Sequence, residues 1–445
     1  MPRPPRPRRP RADRTERPAR RSREPRPPAT DGPLLDLEVE RIAHGGVAVA
    51  HHEGRVVFVA DAIPGERVRA RVTDASKDRF WRADTIEVLD ASPDRREHVW
   101  AEASVARAPE DRAGGAEFGH ILMERQRALK ADVLREGLAR FAGLDRAVAV
   151  EPVDAELAPG VDAGFGTGWR TRVRLHVDDE GRIGPFAARS HRVVPVDSLP
   201  LAVGELQERA PLGDRLPGSR FVDLVAPSAG DAEMIVDAPA GGEGAVVREI
   251  VEGRTFQLDR GGFWQVHRGA AATLSRAVRD AVDGDRFDPR AANLDLYGGV
   301  GLLAAAVADR FGETVRITSV EADERATDHA SANLADHVGA RAETGRVDRW
   351  LAELEASADR ALQARLRAAT VVLDPPRSGA GREVVERLAA LRPAQLVYVA
   401  CDPIALARDL GTFREHGYEL EELRAFDLFP NTHHVEAVAR LGAIV

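Results

Sequence analysis

The chain has 445 residues, 43% hydrophobic and 30% charged, with a formal net charge of −9. That length suggests about three domains, and the lack of any run of about eighteen apolar residues excludes a membrane-spanning helix, as the lack of an apolar N-terminal segment excludes a secretory signal. A single cysteine, Cys401, rules out an intrachain disulfide and any Cys-rich zinc or iron–sulfur site, and fits a cytoplasmic setting.

Residues 1–33 are rich in proline and arginine and almost free of large apolar side chains, which predicts a disordered tail. Two roles are open to it: an electrostatic tether to phosphates, or a solvated extension. The first 30 residues hold 11 arginines against Asp13, Glu16 and Glu24, so the rest of the chain is acidic. Any contact with RNA must therefore use local basic patches. Lysine occurs only at Lys77 and Lys130, a bias that reads as genomic base composition.

From 34 to 95 short alternating runs broken at Gly45-Gly46, Gly54 and Pro64-Gly65 predict about five strands, enough for a small OB-like barrel. Within it, Phe80 and Trp81 between Arg79 and Arg82 suit base stacking, or equally a strand with one buried aromatic. Residues 96–260 read as a mixed α+β region. Its first strong element is a helix over 120–143 ending at Gly143, a candidate to pack on the catalytic domain. Its segment 168–196 alternates arginine with apolar residues around a turn at Glu180-Gly181. Those arginines form either a basic face toward RNA or an ordinary exposed strand face.

Residues 261–445 change rhythm. Four segments, opening at Asn293, Val315, Ala369 and Gln395, each run from an apolar strand through a turn into a helix. Repeats of this kind specify a doubly wound, Rossmann-like α/β sheet with ligands at the carboxyl ends of its strands. The first unit carries Asp295 and then Gly298, Gly299 and Gly301, where glycine permits close approach of backbone to ligand. The second ends on Glu321, suitably placed for a ribose diol. Together these units look like a class I S-adenosylmethionine methyltransferase.

The third unit places Asp374-Pro375-Pro376-Arg377 after its strand, a rigid loop whose acid can face cofactor and substrate. In the fourth, Cys401 precedes Asp402 and Pro403, which suit helix N-cap and first-turn positions. Cys401 is either a small buried hydrophobe or a nucleophile, and a helix N-terminus would lower its pKa. Glu436, opening a C-terminal strand, is either a general base or a solvated strand end. His433 and His434 lack the partners a metal site needs.

The segments "LDLYGGVG", "VEAD", "LDPPRSGAG", "ACDPIALARDL" and "DLFPNTHHVEAVARL", with "FWQVH" at 263–267, together resemble the RNA uridine-C5 methyltransferases that act on tRNA and 23S rRNA. The N-terminal barrel is similar to that family's RNA-binding TRAM domain. The resemblance implies that Cys401 adds to C6 of a uracil and that Glu436 removes the C5 proton. It further implies that Gln265, Tyr297, Gly299, Gly301, Glu321, Asp348 and Asp374 serve S-adenosylmethionine, and that Arg377 orients the base. An asparagine expected after the glycine turn is Leu302 here. The cysteines that hold an iron–sulfur cluster in many relatives are also missing, with Ala116 and Leu199 at two of their positions, so no cluster is expected.

The expected partner is RNA, 23S rRNA ahead of tRNA, handled by a monomer away from membranes. Two other readings compete. A cytosine-C5 RNA methyltransferase would ordinarily carry a second cysteine beside the acidic-Pro loop, which this chain lacks. A non-catalytic RNA-binding or assembly protein would have no need of Cys401, Asp374 and Glu436 together.

Overall fold

The computed structural model describes residues 31–237 and 245–444, so the arginine/proline-rich tail, apart from 31–33, lies outside the described residues. Five strands, β1 (Leu34–Ala43), β2 (Val47–His52), β3 (Arg55–Ala60), β4 (Arg67–Asp74) and β5 (Phe80–Asp90), close into a barrel in the order β1-β2-β3-β5-β4. Closure follows from β1 pairing with both β2 and β4. Alternate residues point inward and fill the interior, among them Leu37, Val39, Val57, Val59 and Val68.

Helix α1 (Met123–Gly137) continues through one wider turn, Leu138–Ala142, and stops at Gly143, whose φ of +64° suits glycine. It packs against α9 (Pro403–Glu415) of the large sheet. The next short strand, β6 (Val150–Glu151), joins the edge of that same sheet. The chain before residue 261 thus braces the catalytic sheet directly. Between them lies a smaller antiparallel sheet, ordered β10-β9-β7-β8, of β7 (Arg172–Val177), β8 (Ile183–Gly184), β9 (Phe221–Val225) and β10 (Glu233–Val236). The short helix α2 (Gly204–Arg209) and the hairpin β11 (Val246–Val251)–β12 (Arg254–Asp259) complete this region. Ala116 and Leu199 are buried in its apolar core with Trp100, Trp169 and Leu175.

The large sheet contains β13 (Asn293–Leu296), β14 (Ile317–Glu321), β15 (Ala340–Thr344), β16 (Thr370–Leu373), β17 (Gln395–Ala400), β18 (Tyr418–Phe426) and β19 (Glu436–Ala443). Its order is β15-β14-β13-β16-β17-β19-β18-β6; β13 to β17 run parallel, and β19 is antiparallel to both β17 and β18. Strands β13, β16 and β17 are buried end to end, hence the apolar side chains that dominate β16 and β17. Leu294, Leu373 and Tyr398 meet α8 (Arg382–Leu391) and α9 on one face. Val372, Val397 and Val399 meet α3 (Ala270–Ala281) and α4 (Leu302–Phe311) on the other. The remaining crossovers are α5 (Glu324–Asn333), α6 (Val347–Ser357) and α7 (Arg360–Arg367).

Candidate active site

One cavity of about 1660 Å³ opens where the carboxyl ends of β13, β14, β16 and β17 meet the barrel and the smaller sheet. Its wall includes Gln265, Tyr297, Gly299, Glu321, Asp374, Arg377, Cys401 and Glu436. Topology brings these together, because parallel strands of a doubly wound sheet end on one edge and their loops share it.

At the first turn the backbone is unusual. Tyr297, Gly299 and Gly301 have φ of +62°, +54° and +88°. Gly298 has no room for a side chain: an added Cβ would lie 2.0 Å from the Ser319 hydroxyl. The Glu321 carboxylate accepts from Gly299 N at 3.1 Å and from Ala322 N and Asp323 N at 2.6 and 2.9 Å. An acid so fixed beside a side-chain-free turn fits the ribose and backbone-approach needs of S-adenosylmethionine. Beneath it Asp295 is fully buried; one oxygen accepts from Ser319 and Ala304 N while the other is unpartnered. Burial pushes its carboxyl up to about 7.

Four groups define the reactive end. Glu436 is 3% exposed, and burial followed by the neighbouring Asp374 raises its pKa well above the carboxylate range. Asp374 is itself pushed up to about 7 by burial and by Asp295. Cys401 corrects the expectation drawn from its position before a helix: its thiol is pushed up to about 12, first by burial and then by Glu436 and Asp374. The helix N-terminus does not offset this, because Asp402 takes the N–H groups of Ile404 and Ala405 on its own carboxylate. Arg377 favours both the thiolate and the Glu436 carboxylate.

Other candidates fall elsewhere. Gly301 is not in the cavity wall; it starts α4, and a Cβ there would meet Leu334 at 3.2 Å. Asp348 also lies outside the wall, in the first turn of α6, paired with Arg346 at 2.8 Å. Phe80 and Trp81 lie on the barrel away from the cavity. Phe80 packs edge-on against Phe58, and Trp81 lies under the Arg55 guanidinium at 4.7 Å. Among the described residues no group of three or more His, Cys, Asp or Glu side chains could hold a metal ion.

The arginines at the start of β7 and just before it divide in use. Arg172 is tied down by Glu249 and the carbonyls of Arg260 and Gly262, and so steadies the loop before Gln265. Arg170 instead borders the cavity and faces Arg377. One wall residue escaped sequence reasoning. Glu117 binds His433 through both its backbone N–H and its imidazole, across 316 positions of chain that no local pattern spans. Burial pushes the adjacent His434 down to about 3, leaving it neutral.

Residues 288–443 match the family described as tRNA (Uracil-5-)-methyltransferase, and residues 28–85 match the TRAM domain. A Streptomyces avermitilis protein named "Uncharacterized RNA methyltransferase" is 39% identical, covering 92% of this chain and 98% of its own length. The 23S rRNA (uracil(1939)-C(5))-methyltransferase RlmD of Shewanella denitrificans is 28% identical, covering 92% and 95%. In fold, the Pyrococcus abyssi tRNA (uracil-54, C5)-methyltransferase, solved with S-adenosyl-L-homocysteine, superposes with a TM-score of 0.63 at 21% identity, over 91% of this chain and 100% of that one.

Proposed function

The chain belongs to the TRAM-containing RNA (uracil-5-)-methyltransferase family, and from that membership we propose that Cys401 adds covalently to C6 of a uridine in 23S rRNA during methylation of C5. The observation that carries this reading is that Cys401, Glu436, Asp374 and Arg377 line one wall of one cavity. In this reading residues 34–95 are the RNA-binding barrel, 96–260 a central RNA-contacting region and 261–445 the catalytic domain.

The chemistry assigned to each side chain follows from its surroundings. Cys401 loses its proton to solvent in the open cavity and its sulfur bonds to C6, so that the electrons of the C5–C6 double bond move onto C5 and O4. Arg377 supports the single negative charge as it passes from the sulfur to the uracil oxygen. S-adenosylmethionine, when bound along Gln265, Tyr297, Gly299, Glu321 and Asp374, supplies the electrophilic methyl group. Glu436 then takes the C5 proton; the C5–C6 double bond re-forms as the sulfur–C6 bond breaks, returning the thiolate. A buried carboxyl with a raised pKa is a stronger base than a solvated one, which suits removal of a carbon-bound proton.

The choice of 23S rRNA over tRNA rests on the similarity to RlmD along 92% of the chain. RNA carrying 5-fluorouridine tests the mechanism, since fluorine at C5 cannot leave as a proton. The expected result is a cofactor-dependent protein–RNA adduct that is stable on a denaturing gel and absent from Cys401→Ala. An adduct that survives that substitution would overturn the mechanism. Mapping 5-methyluridine in 23S rRNA and tRNA of a deletion strain tests the choice of substrate.

A further inference from the structure

The cavity is larger than the ~300–1,000 Å³ of a single small-molecule site, and one end of its wall has no part in the chemistry above. That end, built from the β7–β8 hairpin and the loop after it, carries three rings. His176 and Phe186 stack face to face, with centroids 3.5 Å apart and planes 10° from parallel. His191 tilts against the other side of Phe186 at 5.1 Å. All three border the cavity, and His191 is exposed.

The ring group is held rigidly. The Phe186 carbonyl accepts from Gly114 N at 2.9 Å, and Phe186 bridges to Val193 across the loop. His176 pairs with Gly184 in the hairpin, where a Cβ on Gly184 would strike the Val194 carbonyl at 1.9 Å. Burial, with Arg174 and His191 nearby, lowers the pKa of His176, so its ring is neutral and stacks as an uncharged aromatic. Arg170 and Arg377 share the same cavity, and Glu436 is the carboxylate that acts on Arg377. Two neighbouring guanidinium groups repel each other, and the phosphates of a nucleic-acid backbone relieve that repulsion when they lie beside them.

We propose that the His176–Phe186–His191 ring group is a stacking subsite for an unpaired nucleobase flanking the methylated uridine, with its phosphate on the Arg170/Arg377 side. The proposal rests on RNA being the substrate and adds a second nucleotide contact, read by stacking and so tolerant of base identity. It makes single-stranded RNA, with the target's neighbour unstacked, the form the cavity accepts.

The test is equilibrium binding of a single-stranded RNA of about 12 nucleotides bearing 2-aminopurine, whose fluorescence is quenched by stacking. The full chain should bind and quench it. His191→Ala should weaken binding by about tenfold, the scale of one base–aromatic stack, and relieve the quenching, whereas His191→Phe should keep both. Binding and quenching by His191→Ala equal to the parent would overturn the proposal. So would His191→Phe as weak as His191→Ala, which assigns the effect to charge, or a parent that does not bind the strand. Methyl transfer is scored separately: a parent that binds and quenches as expected yet methylates no uridine would refute the catalytic reading and leave the subsite standing.

Discussion

His44 Nε2, on the turn that follows the first strand of the barrel, lies 2.9 Å from Oδ2 of Asp402, the residue after Cys401. The other oxygen of Asp402 caps α9. One carboxylate therefore joins the barrel to the helix that begins beside the candidate nucleophile. Next to it His433 packs against Gly46 of the same turn, where an added Cβ would lie 2.8 Å from the His433 Cβ.

Because the two oxygens of Asp402 do separate jobs, their losses should separate. His44→Ala should cost less than ~1 kcal/mol, as for a partly exposed ion pair, since the cap is untouched. Asp402→Ala should cost ~1–2 kcal/mol through loss of the cap. Urea denaturation of the two variants and their double mutant measures both, and a coupling energy above the single His44 loss would contradict this division.

Glu436→Gln should stop the reaction after C–S bond formation. The expected outcome is a methylated adduct that accumulates on ordinary uridine-containing RNA, with turnover reduced by ~10²–10⁴-fold, the usual scale of a general base. Cys401 and Glu436 both have raised pKa values and both act deprotonated, so parental turnover should climb as pH rises above the ordinary carboxylate range. Turnover that falls over that range would contradict the assignment.

Asp295 gives a pH-dependent stability signature. Its folded pKa, raised from 3.8 to about 7, means the folded chain binds the proton more tightly than the unfolded one. The associated stability is complete below about pH 4 and is lost as pH rises toward 7, by at most ~4 kcal/mol. Asp295→Asn removes the titration, so its stability relative to the parent should improve between pH 4 and pH 8. Thermal unfolding across that range measures the difference; a constant difference would show that Asp295 does not titrate there.

Lys130 is one of two lysines in the chain, fully buried, with Nζ 2.5 Å from Asp427 Oδ1 and 3.0 Å from the Phe429 carbonyl. It ties α1 to the segment leading into His433, His434 and Glu436. Gln126, one turn earlier, does the same through Asn431. Lys130→Met should cost ~3–5 kcal/mol because it strands the Asp427 charge, and Lys130→Met with Asp427→Asn should recover part of that loss. Chemical denaturation of the two proteins is the measurement.

Much of the frame was legible in the sequence because its causes are local. Alternation marks the barrel strands, the apolar stretches within 370–373 and 395–400 mark buried parallel strands, and Asp402-Pro403 marks the start of a helix. Parallel strands must end on one edge, so Cys401, Asp374 and Glu321 could be placed together before any coordinates. What the sequence did not place depended on neighbours distant in the chain. Phe80 and Trp81 have the composition of a stacking site and lie on the barrel outside the cavity wall. Asp348, a cofactor position by family resemblance alone, pairs with Arg346 at the start of α6 and acts on Tyr297 of the cavity wall.

The sequence by itself determined the order of strands and turns, the glycines at positive φ and the presence of one thiol, because backbone sterics and hydrophobic period act over a few residues. Only the tertiary structure decided the state of that thiol. Its ionisation depends on burial and on Asp374 and Glu436, which folding brings beside it from 27 and 35 positions away. Local position argued for a thiolate, and in the assembled cavity burial, Glu436 and Asp374 push the thiol toward its protonated form against the opposing pull of Arg377 and a backbone hydrogen bond.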